Sequence, residues 1–251
     1  MIPEFLDKYK DQLEEFKLPS IRIKAIPVEN EETLNFRQSR FLGKPYLPLN
    51  FEYPKDGDGK PLIPLAQINF DEFPRLEGYP TSGILQFYIP SSNWYDMSDY
   101  KIIYHDDVSG IHQTDFSFLT ADLYDESPVY CEHKLKFEKN IEYGGGTDFR
   151  FNMDFSGKDF YEFCEDLNQI QKQQIEKIID GTGHKIGGYA YFTQSDPRDY
   201  DQKLQEDILL LQIDTDEQIM FGDCGVANLF IHPDELKAKN FEKAWFNWDC
   251  C

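Results

Sequence analysis

Two stretches of similar spelling, half a chain apart, constrain this sequence more than any other feature. Pro64-Leu65-Ala66-Gln67-Ile68-Asn69-Phe70-Asp71-Glu72 is followed by Gly83-Ile84-Leu85-Gln86-Phe87-Tyr88-Ile89. Ile208-Leu209-Leu210-Leu211-Gln212-Ile213-Asp214-Thr215-Asp216-Glu217 is followed by Gly225-Val226-Ala227-Asn228-Leu229-Phe230-Ile231. Gln67, Ile68, Asp71 and Glu72 match Gln212, Ile213, Asp216 and Glu217 at one shift, 212 − 67 = 145. Gly83 matches Gly225, and Gly43 matches Gly183, at slightly smaller shifts, as loops of unequal length between two copies would give. Short periods mean arrays. A period near half the chain instead predicts a pseudo-two-fold pair, approximately 39–90 and 179–236, inside one globular domain spanning 1–251.

The remaining elements follow from apolar spacing. Phe5, Leu6, Tyr9, Leu13 and Phe16 share one helical face, Pro3 suits a first turn and Pro19 stops the pattern, so 3–17 reads as an N-terminal helix. Ile21 to Ile26 alternates with charged residues and reads as a strand open to solvent on one side. Lys101–His105 and 128–137 read as further strands. Between Gly157 and Gly181 the stripe Phe160, Phe163, Leu167, Ile170, Gln174, Ile178 predicts a long central helix over 158–179. The fold class is therefore α+β: antiparallel sheets from two pseudo-symmetric repeats, packed with an N-terminal helix and a long central helix.

Composition narrows the function. The chain holds 46 Asp and Glu against 25 Lys and Arg, a formal charge of −21. Such a chain repels nucleic-acid phosphates and anionic membranes and favours basic partners. No apolar run reaches the length of a membrane span, and Met1-Ile2-Pro3-Glu4-Phe5 has no secretory pattern. Five cysteines, none in a Cys-x-x-Cys pair, fit a reduced cytoplasmic protein.

No catalytic, metal or cofactor motif stands out. His105-Asp106-Asp107 alternates faces on a strand, so its side chains do not converge, and no His spacing fits zinc. Cys224, between Gly222 and Gly225, has glycines that free the backbone for an oxyanion site, but Asp223 beside it opposes a thiolate and no partner His is evident. The residues left are polar ones in the duplicated strands. An amide inside an apolar strand must be hydrogen-bonded. Gln67 and Gln212 either cap neighbouring backbone or line a cleft between the halves. Together with Asp71, Asp216, Asp223 and Asn228 they form the candidate binding set.

Several of these elements also carry a family likeness. Gly43-Lys44-Pro45-Tyr46-Leu47-Pro48, Pro64 to Ile68, Gly83-x-Leu85-x-Phe87, Gly222-Asp223-x-Gly225-x-x-Asn228-Leu229-Phe230-Ile231 and the terminal Asp249-Cys250 resemble the YwqG-like family of bacterial proteins, over roughly Glu29 to Cys250. The resemblance implies an α+β fold with antiparallel strands and brings no activity, cofactor or catalytic residue. Some members are encoded near polymorphic toxin systems, which implies an immunity-like role. The leading expectation is a non-enzymatic acidic module that binds a basic protein. The alternatives are a hydrolase-type enzyme with carboxylates between the repeats, and a small-molecule binding protein.

Overall fold

The computed structural model describes residues 2–29 and 32–251. Its framework is one ten-stranded sheet in which every pairing is antiparallel. In chain order the strands are β1 (Leu18–Pro27), β2 (Arg40–Phe41), β3 (Ile63–Asn69), β4 (Ile84–Ile89), β5 (Lys101–His105), β6 (His133–Glu142), β7 (Lys185–Gly187), β8 (Ile208–Ile213), β9 (Val226–Ile231) and β10 (Trp245–Asp249). The spatial order is β10-β9-β8-β7-β1-β6-β2-β3-β4-β5. The long pair β1–β6 forms the centre, and two wings, β2–β5 and β7–β10, leave it in opposite directions. One sheet rather than several is the first correction to the sequence reading. The second is that the late strand begins at His133; Val129 makes only an isolated bridge to Ile219.

The strands β3, β4 and β9 are buried along their whole length, which explains why they spell almost unbroken apolar runs: both faces are covered. One face builds the main core, and the sheet curls until its ends meet. The ring of Phe87 lies 5.0 Å from that of Phe246, Tyr104 lies 4.6 Å from Phe241 and Trp94 lies 5.0 Å from Trp248, each pair tilted. The other face carries a separate apolar cluster on each wing, one around Leu47, Tyr53, Tyr88 and Phe116, the other around Phe192, Leu209 and Phe230.

The N-terminal segment is helical, with a 3-10 turn over Glu4–Tyr9 passing into α1 (Lys10–Glu15). Leu6, Tyr9 and Leu13 bury against Phe151, Phe155 and Ile175. The long central helix is not formed. It is broken into α2 (Phe160–Glu165) and α3 (Gln169–Glu176) because Asn168 caps the second piece, its side chain accepting from Gln171 N while Gln171 returns a bond to Asn168 N. This reciprocal box starts a new helix, and the intended stripe bends at Leu167. Two short helices complete the fold, α4 (Pro197–Tyr200) and α5 (Pro233–Lys237). Among the described residues no helix is long and apolar enough to cross a membrane.

Candidate functional site

The two glutamines sit on the face opposite the main core, each inside its own wing. Gln67 Oε1 accepts from Tyr46 N at 2.7 Å, and its Nε2 donates to the carbonyls of Phe36 and Gln38, both at 2.8 Å. Gln212 Oε1 accepts from Tyr191 N at 2.8 Å, and its Nε2 donates to the carbonyls of Gly181 and Gly183, both at 2.8 Å. On the next strand Gln86 Nε2 reaches Tyr46 O at 2.5 Å and Asn228 Nδ2 reaches Tyr191 O at 2.9 Å. Of the two alternatives for the glutamines, capping of neighbouring backbone is the one these bonds form: Gln67, Gln212 and Asn228 are buried and tie loop backbone to the sheet, because buried amides need partners.

Each glutamine lies across the ladder from a buried cation, Arg40 from Gln67 and Lys185 from Gln212. Arg40 meets Glu132 at 2.7 Å and Lys185 meets Glu142 at 3.0 Å. Burial pushes both cations below their ordinary pKa, and the carboxylate beside each opposes that. A Cβ on Gly43 would fall 2.3 Å from Glu132 Oε1, and one on Gly188 would fall 2.4 Å from Glu142 Oε2; both residues have positive φ. Gly43 and Gly188 thus each admit a glutamate side chain, whereas nothing lies within 4 Å of a Cβ at Gly183.

The acidic candidates do not converge. Asp71 is exposed beside Phe70 in the first wing, and Asp223 is exposed in the 222–225 turn that closes with Gly225 N on Phe221 O. Cys224, in that turn, is exposed and sits in the left-handed region at φ 57°. Asp216 alone meets other candidate chemistry. His184 Nδ1 accepts from Asp214 N at 3.0 Å, so its Nε2 carries the proton and faces Asp216 Oδ2 at 3.1 Å. Burial works against the Asp216 carboxylate, but the bonds from His184 and Gln218 N outweigh it and hold the group below its ordinary pKa. Nearby, Cys131 Sγ lies 3.8 Å from His133 Nε2. Burial raises the thiol and lowers the imidazole, so the pair rests as thiol and neutral ring, the opposite of an activated nucleophile. Among the described residues no group of three His, Cys, Asp or Glu is placed to hold a metal.

His105, which the sequence placed with two aspartates in an exposed cluster, is instead buried at the end of β5. Its Nε2 donates to Gln86 Oε1 at 3.0 Å, and burial lowers its pKa to about 4. The unfolded ring titrates near 6.5. Between these values the unfolded state binds the extra proton, so stability falls as pH drops from about 6.5 to about 4, by roughly 3 kcal/mol in total. Denaturant titrations across that range are expected to show the slope, and His105→Gln to flatten it.

Two clefts open on the sheet. One, of about 810 Å³, has Leu34, Phe36 and Leu119 on its walls and the Arg40–Glu132 pair at its base. The other, of about 680 Å³, lies against the central strands, and its lining includes Arg22 and Lys24 of β1, Lys136 and Glu138 of β6, His184 and Asp216. A third feature is convex. Leu49, Phe51, Ile111 and Phe118 are exposed, Ile111 by 78% and Leu49 by 55%. Leu49 N bonds Ile111 O at 3.1 Å, Gln113 Nε2 bonds Phe51 O at 2.7 Å, and Phe118 packs on Tyr53 at 4.8 Å. Sequence reasoning passed over all three. The patch lies in loops where no periodicity operates, and the clefts depend on pairing between distant strands.

The architecture defines a sheet-rich α+β protein. The chain belongs to the family described as Domain of unknown function (DUF1963), whose family model matches residues 39–250. No curated protein matches the chain.

Proposed function

We propose that the protein is a non-enzymatic, cytoplasmic binding module, built from two copies of one unit, that holds a basic protein on its acidic first wing. The duplication reading draws on the bonds above: Phe36, Gln38, Tyr46 and Gln67 correspond to Gly181, Gly183, Tyr191 and Gln212 at one constant shift. The ladder irregularity at Leu65 recurs at Leu210. By these correspondences each copy extends from about 36 to 105 and from about 181 to 249.

The observation that carries the binding reading is the patch of Leu49, Phe51, Ile111 and Phe118. Exposed apolar groups gathered within a polar rim mark interaction surfaces. Here the rim is acidic. Residues 93–126 contain eight carboxylates and one lysine. Exposed Glu52, Asp107 and Asp115 lie within four residues of a patch side chain. Ser109 and Ser117 donate to Asp107 and Asp115 and keep them ionised. An apolar centre within a negative rim fits a partner with aliphatic or aromatic anchors among Lys and Arg, and the charge speeds its approach. An immunity-like role toward a basic toxin domain is one form of this.

The test is a stoichiometric complex isolated from the native host with wild type and with Ile111→Glu. The variant should fold with unchanged stability, because Ile111 makes little buried contact, and should bind at least about 30-fold more weakly, the effect of losing one interface anchor. Raised salt should weaken the wild-type complex. Equal affinity for the variant would sink the patch as the interface. The small-molecule alternative draws on the 810 Å³ cleft, whose apolar walls and polar base suit a ligand of modest size.

A further inference from the structure

The central cleft combines two observations that the reading above does not use. The first is sign. In a chain of charge −21, Arg22, Lys24 and Lys136 gather in one cleft. None of the three makes an ion pair or side-chain hydrogen bond with another described residue. The second is register. Lys24 is the direct Cα partner of Lys136 across β1–β6, and Arg22 is the partner of Glu138. Like charges directly opposite in an antiparallel pair are destabilising. With 46 carboxylates in the sequence, a Lys–Lys pair at the middle of the sheet is a local cost without a structural return, and such violations point to function.

The register also explains how the pair arises. Arg22 is the β1 partner of Lys185, and Lys134 is the β6 partner of Arg40. Since Lys185 and Arg40 occupy equivalent places beside the two glutamines, Arg22 and Lys134 are equivalent. Two residues further along each strand stand Lys24 and Lys136. Each is thus the counterpart of the other, and the pair straddles the axis relating the wings.

We propose that this cleft is a binding site for a small dianion of the phosphate class. Glu138 is the Cα partner of Arg22 but makes no ion pair with it, and Asp216 is engaged by His184 and Gln218. That leaves two ammonium groups, on opposite sides of an axis, for two negative charges. A guanidinium beside them adds the forked donor that suits phosphate oxygens. The overall charge repels long polyanions, so the ligand is a small molecule able to enter a cleft whose walls focus the local positive field. Strand register and charge place this site on the central strands, apart from the protein-binding patch in the 49–51 and 111–118 loops.

The probes are inorganic phosphate and pyrophosphate, titrated calorimetrically into the full chain at low and moderate salt. Wild type is expected to bind pyrophosphate more tightly than phosphate. Lys24→Ala with Lys136→Ala should lose at least about tenfold, while Lys101→Ala on β5 should change nothing. Lys136→Glu provides a readout that misfolding cannot imitate. It turns the repelling pair into an attracting one, so the melting temperature without ligand should rise by about 1–3 °C while pyrophosphate no longer raises it. Absence of wild-type binding at millimolar probe, equal binding by the double alanine variant, or a melting temperature lowered by Lys136→Glu would each overturn the proposal. The Ile111→Glu protein should still bind pyrophosphate, which separates failure here from failure of the patch.

Discussion

Arg198→Met is expected to cost about 3–5 kcal/mol and to lower the melting temperature by roughly 10 °C, because it strands buried carboxylates. Arg198 is fully buried. It grips Asp196 with two bonds, Nε to Oδ1 at 2.9 Å and one terminal nitrogen to Oδ2 at 2.6 Å. The same nitrogen lies 2.9 Å from Asp148 Oδ2. Its other terminal nitrogen donates to Asp207 O at 3.0 Å, and the guanidinium lies 4.5 Å from the Phe230 ring. Burial acts against the Asp148 carboxylate, but Arg150 and Arg198 outweigh it and hold its pKa far below the ordinary value. A depressed carboxyl contributes stability that is present above its unfolded pKa near 3.9 and is lost as pH falls through the folded value. Removing Arg198 weakens that depression, so the variant should also unfold at a higher pH on acidification. Arg198→Lys keeps the charge and loses the fork, and should fall between.

The first wing holds a similar bond without charge. Tyr53 donates to Leu62 O at 2.8 Å as Arg198 donates to Asp207 O, and its ring packs 5.9 Å from Tyr88. The first wing makes this bond with an aromatic ring and one polar tip, the second with a guanidinium and its carboxylates. Buried ion clusters often stabilise no more than well-packed apolar groups, while breaking one is costly. Arg198→Met with Asp148→Asn and Asp196→Asn should therefore recover part of the loss. Denaturant unfolding of the single and combined variants measures this coupling. A single-variant cost under about 1 kcal/mol would mean that the cluster is not held as described.

The same comparison marks what could be read from the chain. Strands spelled by nearly unbroken apolar residues, such as 84–89 and 226–231, were legible because burial on both faces leaves few polar positions, Gln86 and Asn228 being the exceptions. The Leu-x-Gln-Ile motif was legible as a pair, since an amide in such a run demands a partner. The partner itself was not, for it is loop backbone about thirty residues upstream. Arg198 hid inside Asp196-Pro197-Arg198-Asp199-Tyr200, which spells a polar turn; its burial depends on Asp148, far off in the chain. Asn168 looked like one more polar residue on a helix, yet its cap divides that helix. Gly43 matches Gly183 by spelling, whereas Gly43 and Gly188 are the two glycines that a glutamate side chain approaches closely, which spelling does not reveal. Lys24 reads as the solvent side of an alternating strand, and only the register with β6 shows that it faces Lys136. Ile111 and Leu49 are single apolar residues in loops, and nothing local tells an exposed one from a buried one.

Gln67→Leu is expected to be the most damaging change among the buried strand amides, at about 3–5 kcal/mol, with Gln212→Leu close behind. Leucine keeps the volume and satisfies none of the groups that the amide serves. In the first wing these are Tyr46 N, the carbonyls of Phe36 and Gln38, and Gln86 Nε2 at 2.8 Å. In the second they are Tyr191 N and the carbonyls of Gly181 and Gly183. Each orphaned buried group costs about 1–3 kcal/mol, reduced where the loop can move to water. The order follows from the neighbouring strand. Gln86 Oε1 accepts from Tyr88 and His105, so the first wing has a closed network to lose. Asn228 Oδ1 is buried without a partner among the described residues, so the second wing already carries an unmet acceptor. Gln67→Glu should be nearly as harmful as leucine despite its shape, since an ionised carboxylate cannot donate to the Phe36 and Gln38 carbonyls. If the glutamines serve the architecture, these variants lose stability while the folded fraction keeps the wild-type affinity at the Ile111 patch. A variant of full stability and weakened binding would return them to the role of ligand contacts.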